Sequence, residues 1–198
     1  MTMLNDNKKP VILLAFANSH EGQRGFLRGL AKEQSEIEEA LEAASQVCDL
    51  QVRSNATLED IVDSFLKHRD RVAILHYAGQ ANSYQLLLET DAGALEAANA
   101  AGISQFLAQR RGLKLVFLNG CSTQSQVDDL HRAGVPAVIA TTRPVDDTQA
   151  LNFAQTFYKA LSTGSSVRSG RRAWSATLNK AKQSILKAYA ARLFSRCD

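Results

Sequence analysis

AILHYAGQANSY, residues 73–84, reads as a buried strand that ends in a glycine turn and then offers small polar residues to solvent. Extended back to Arg71, the strand is RVAILHYAG (71–79), an apolar run without the polar alternation of a half-exposed strand. PVILLAFA (10–17) and LKLVFLNG (113–120) have the same character, which suits strands of a parallel sheet covered on both faces. The segment from about Gly25 to Val47 carries apolar residues at helical spacing, and CDLQVRS (48–54) alternates like a strand. TLEDIVDSFLKHRD is a helix that Asn55 or Thr57 can cap, with Thr57 and Asp60 at capping-box spacing. SYQLLLET (83–90) reads as a short strand or hairpin arm, and GALEAANAAGISQFLAQRRG (93–112) as helical. A short helix to about Ala133, a strand PAVIATTR (136–143) and a helix DTQALNFAQTFYKALSTG (147–164) stopped by Gly164 complete the alternation. The order predicts an α/β three-layer sandwich, a mainly parallel sheet between helices.

Composition bounds the rest. With 198 residues, 45% of them hydrophobic, one domain spanning 1–198 is expected, with residues 1–9 a flexible polar start and 165–198 a basic helical segment. No apolar run approaches the length of a membrane span and MTMLNDNKK lacks a signal-peptide core, so the expectation is a cytoplasmic protein without a membrane partner. Cys48, Cys121 and Cys197 are too few and too scattered for a disulfide framework or a zinc site, so no metal and no cofactor is expected. Neither GxGxxG nor GxxxxGK[ST] occurs, which leaves a nucleotide-binding α/β domain without a phosphate loop.

In open parallel sheets, reactive groups gather beyond the carboxyl ends of the strands. The third strand ends in His76-Tyr77-Ala78-Gly79-Gln80-Ala81, the next long one in Leu118-Asn119-Gly120-Cys121-Ser122-Thr123. Cys121 follows a glycine at the start of a predicted helix, where the helix N-terminus favours thiolate. A nucleophilic cysteine is placed in this way, as is a small cysteine filling a strand-to-helix corner.

HYAG-x-A followed by LVFLNGCST resembles the two signature segments of the CHAT domains, caspase-like cysteine peptidases grouped with separases, gingipains and clostripain. PVILLAFAN, SYQLLLE and AGVPAVIATTRPVDDTQALNFAQTFYKAL fit the same layout, so the resemblance covers about Pro10 to Trp174. It implies a caspase/hemoglobinase-like sheet, Cys121 as nucleophile, and the backbone N–H groups of Ala81 and Cys121 as an oxyanion hole. It also implies a histidine after the glycine of the first motif, where this chain has Gln80, an amide that cannot exchange a proton near neutral pH. The expectation is a cysteine endopeptidase domain whose hydrolysis is impaired or lost, or a pseudo-peptidase that binds peptide or protein in the old cleft. By analogy, a regulatory partner or a fused sensor or repeat module in a bacterial defence or signalling system would accompany it.

His76 shares a strand face with Gln80 but lies about 13 Å back from the tip, so it reads first as a structural histidine and second as a substitute base. His20 reads as an exposed loop residue, and His68 and His131 as solvated helix ends. Asp146 and Asp147 lie where the resemblance places the S1 pocket, and an acid there favours Arg or Lys at the cleaved position; one of them can instead cap the helix that follows. From Arg168 to Arg196 the chain carries eight Lys and Arg residues and no acid, beside an apolar stripe of Trp174, Leu178, Ala181, Ile185 and Ala188. A docked helix with a solvated basic face accounts for that pattern, and nucleic acid is not the expected partner.

Overall fold

A computed structural model describes residues 9–19, 26–81, 85–90, 92–120, 124–140 and 147–165. In chain order the first elements are β1 (Val11–Ala17), α1 (Leu30–Glu42), β2 (Asp49–Arg53), α2 (Leu58–His68) and β3 (Val72–Gly79). They are followed by β4 (Gln85–Glu89), β5 (Leu95–Asn99), α3 (Ala100–Ala108), β6 (Leu115–Asn119), α4 (Gln124–Arg132), β7 (Val138–Ala140) and α5 (Asp147–Ser165).

Five parallel strands form the main sheet in the order β2-β1-β3-β6-β7, and β4 and β5 form a separate antiparallel pair. Every residue of β1, β3 and β6 is buried. Alternate residues of these strands feed opposite layers. Ile12, Leu14, Phe16, Ile74 and Phe117 join α1 and α5 in one core, whereas Leu13, Ala15, Leu75, Tyr77 and Val116 join α2, α3, α4 and the β4–β5 pair in the other. A strand with apolar neighbours on both sides favours apolar residues on both faces, which is why β1 is wholly apolar; His76 in β3 and Asn119 in β6 are the buried polar exceptions.

The helices differ from expectation at their ends. α1 is shorter than the predicted span from about Gly25 to Val47, because Ala44, Ser45 and Val47 donate to carbonyls three residues back, tightening the chain into turns before β2. Thr57 caps α2 as expected: its Oγ1 accepts from Asp60 N–H at 3.0 Å, and Asp60 Oδ2 accepts from Thr57 N–H at 3.1 Å. The predicted helix over 93–112 divides. Leu95–Asn99 is a strand paired with β4, and α3 starts only at Ala100, where Asn99 Oδ1 accepts from Ala101 and Gly102 N–H. The α5 helix runs through Gly164 to Ser165, so this glycine does not stop it. The apolar stripe from Trp174 to Ala188 lies outside the described residues. Among the described residues no helix is long and apolar enough to cross a membrane.

Candidate functional site

The carboxyl ends of β1, β3 and β6 lie side by side, with Ala17 beside Gly79 and Ala78 beside Asn119. Gln80 and Ala81 therefore emerge next to Asn119 and Gly120. Sequence reasoning anticipated this juxtaposition, and Cys121, one residue further on, lies outside the described residues.

The path after β3 is closely held. Gln80 is half-buried, and its carbonyl accepts from Leu87 N–H at 3.0 Å and from Tyr77 Oη at 2.5 Å. Tyr77 Oη also lies 2.7 Å from Leu87 O, and its burial raises its pKa well above the ordinary tyrosine value. One hydroxyl thus ties the β3 tip to β4. Ala81 pairs with Leu86 in an antiparallel bridge whose ladder bond runs between Gln80 and Leu87, so the pairing itself does not draw on the Ala81 N–H. Gly79 is required by close approach: a Cβ there would sit 2.6 Å from Ala17 O and 2.7 Å from Tyr77 Oη.

Just after β1, Asn18 is bonded to Leu27 and Glu89. Its Oδ1 accepts from Ser19 and Leu27 N–H, its Nδ2 donates to Leu27 O, and its own N–H donates to Glu89 Oε1 at 3.0 Å. His20 lies outside the described residues.

His76 is fully buried on the α1/α5 side of the sheet, among the rings of Phe16, Phe117 and Tyr158. Its Nε2 donates to Glu33 Oε1 at 3.0 Å, and Nδ1 has no hydrogen-bond partner among the described residues. The same carboxylate oxygen accepts from Asn119 Nδ2 at 2.6 Å. Tyr158 Oη is buried beside this group; burial first, and the Glu33 charge second, push its pKa well up. The carboxylate was missed in the sequence, although a signal exists. Leu30, Ile37, Ala40 and Leu41 form the buried stripe of α1, and Glu33 stands in that stripe, where a charge belongs only if it has partners.

Asp147 opens α5, while Asp146 lies outside the described residues. His68, at the end of α2, is half-buried rather than solvated, and burial lowers its pKa. His131 is exposed and its Nδ1 lies 3.2 Å from Val135 O. No group of three or more His, Cys, Asp or Glu among the described residues is arranged to hold a metal ion.

A C11 cysteine protease secreted by Bacteroides thetaiotaomicron, solved in complex with an irreversible peptide inhibitor, shares this architecture. The match has a TM-score of 0.58 at 8% identity and covers 90% of this chain and 59% of the protease. Raptor of Chaetomium thermophilum matches with a TM-score of 0.51 at 11% identity, over 78% of this chain and 17% of Raptor. The chain thus spans less than two thirds of either protein, and at these identities the likeness is one of fold. A search of curated proteins returns no match. The family model of the CHAT domain matches residues 3–192, nearly the whole sequence, and this chain belongs to the CHAT domain family.

Proposed function

We propose that this chain is a caspase-like peptidase domain that engages peptide or protein through Cys121 at the β6 end and has lost most of its capacity to turn substrate over. One observation carries the reading. Gln80 stands at the tip of β3 beside the end of β6, whereas His76, on the same strand, is fully buried and committed to Glu33. A buried, hydrogen-bonded imidazole four residues back from the tip is poorly placed to serve a substrate at the tip.

The chemistry follows from that pairing. Cys121 attacks the carbonyl carbon as thiolate, the oxygen takes up the electron pair, and the N–H groups of Ala81 and Cys121 receive the charge. Collapse then requires the amine leaving group to gain a proton. Gln80 can donate a hydrogen bond but not a proton, and loss of a general acid–base group costs about 10²–10⁴ in rate. Attack is less affected than departure, since a free thiol is already a few per cent ionised at neutral pH. An acidic residue at Asp146 or Asp147 directs the cleft toward Arg or Lys side chains. Capture without turnover suits a module gated by, or docked to, a protein partner.

The test is native labelling with a peptidyl halomethyl ketone, whose halide leaves without a proton, followed by mapping of the adduct. The adduct is expected on Cys121, with peptide amides uncleaved by the native chain and cleaved slowly, after basic residues, by Gln80→His. Absence of label on Cys121 in the folded protein removes the nucleophile assignment. No cleavage of any peptide by Gln80→His removes the peptidase half.

A further inference from the structure

Behind the carboxyl ends of β3 and β6, three polar side chains meet in an otherwise apolar layer. Glu33 of α1, His76 of β3 and Asn119 of β6 are 4%, 0% and 8% exposed, and the two donors converge on the single oxygen Oε1 of Glu33. A carboxylate taken out of water is costly unless its partners are held in good geometry, and an apolar side chain in the stripe of α1 would pack there at no such cost. What the carboxylate adds is a directional hold on Asn119. That residue ends β6, and the chain continues through Gly120 to Cys121.

We propose that Glu33 is a positioning residue for the thiol-bearing segment. By drawing the Asn119 side chain inward, its carboxylate sets the angle at which the backbone of Asn119 and Gly120 leaves the sheet, and His76 holds the carboxylate in place. The consequence for reactivity rests on the assignment of Cys121 as nucleophile; the hold on the strand end does not.

Reversing the polarity of the group separates positioning from a stabilising role. Asn119→Asp alone brings a second carboxylate against Glu33. Adding Glu33→Gln restores complementarity, because the introduced amide nitrogen donates to the introduced carboxylate and, with the imidazole proton moved to Nδ1, to His76 Nε2. Two readouts apply to each folded variant: backbone amide exchange at Gly120 compared with Leu75 in mid-β3, and the rate of Cys121 labelling by iodoacetamide. Asn119→Asp is expected to speed exchange at Gly120 about tenfold with Leu75 unchanged, and to slow labelling about 10- to 100-fold, with the double variant recovering both. If Asn119→Asp does not fold, Asn119→Ala takes its place in the exchange comparison. Equal acceleration at Gly120 and Leu75, no recovery in the double variant, or unchanged labelling despite faster Gly120 exchange overturns the proposal. If the wild-type thiol takes no label, the nucleophile reading fails, and Gly120 exchange alone decides whether Glu33 positions the strand end.

Discussion

Gly79 pairs with Ala17 at the carboxyl ends of β3 and β1, where a side chain would find no room. The space that a methyl group would need is taken by Ala17 O and by the Tyr77 hydroxyl, which is simultaneously bonded to Gln80 O. Gly79→Ala is therefore expected to cost about 1–3 kcal/mol by overpacking and to push Tyr77 away from the carbonyl that fixes the β3 tip. Urea unfolding measures it, and a wild-type midpoint would show that the strands separate without penalty. The glycine was legible as the end of a strand; its packing role was not, because the atoms it must avoid come from a residue 62 positions earlier, Ala17, and from its own strand. Gln80 stands out in the sequence only against a family pattern. Glu33 was legible in principle as a charge inside an apolar stripe, yet its partners lie on β3 and β6, which no local pattern connects to α1.

The cap of α2 was readable in the chain, and the strand at Leu95–Asn99 was not. The α2 N-terminus is a closed circuit within four residues, Thr57 to Asp60, so its capping box could be read directly from the chain. Thr57→Ala is expected to lower stability by about 1 kcal/mol, measured by chemical denaturation, with the Thr57→Ser variant close to wild type. A larger loss in Thr57→Ser than in Thr57→Ala would show that the methyl group, not the hydroxyl, matters. The Ala-rich segment around β5 misled for the opposite reason. Leu95–Asn99 has good helical propensity, but β4 presents Leu86 and Leu88 to the core and needs a partner strand, and the turn at Thr90–Ala94, with Gly93 at φ 74°, returns the chain to supply it. Cross-strand pairing outweighs propensities that differ by tenths of a kcal/mol per residue. Asn99 then caps α3 and ends the strand together.

Taken as one molecule, the protein has alkaline sensitivity built into its core. Burial, with the Asp49 charge adding to it and Lys9 opposing it, raises Cys48 from 9.0 to about 11, and burial raises Tyr77 and Tyr158 as well. An acid whose pKa is raised on folding keeps its proton better in the native state, so its contribution is complete below the unfolded value and fades as pH climbs toward the folded one. The unfolding midpoint is expected to hold from neutral pH to about 9.0 and to fall between 9.0 and about 11, with Cys48→Ala showing a shallower decline over that interval. A flat profile across it would contradict the burial of these groups. The same protonated Cys48 resists labelling near neutral pH, which leaves mapping to distinguish Cys121 from Cys197.

The family resemblance implied that the two motif strands meet at one edge, and the pairing of β3 with β6 brings them there; from the patterning of the chain follow the alternation of strand and helix and the double-sided burial of β1, β3 and β6. Periodicity and unbroken apolar runs are local signals that carry these properties in the chain itself. Tertiary structure decided what the runs could not express: the pairing of β5 with β4, and the convergence of His76 and Asn119 on the Glu33 carboxylate. The contacts to Glu33 join groups far apart in the chain, and a buried hydrogen bond between such groups leaves no periodic trace in either segment.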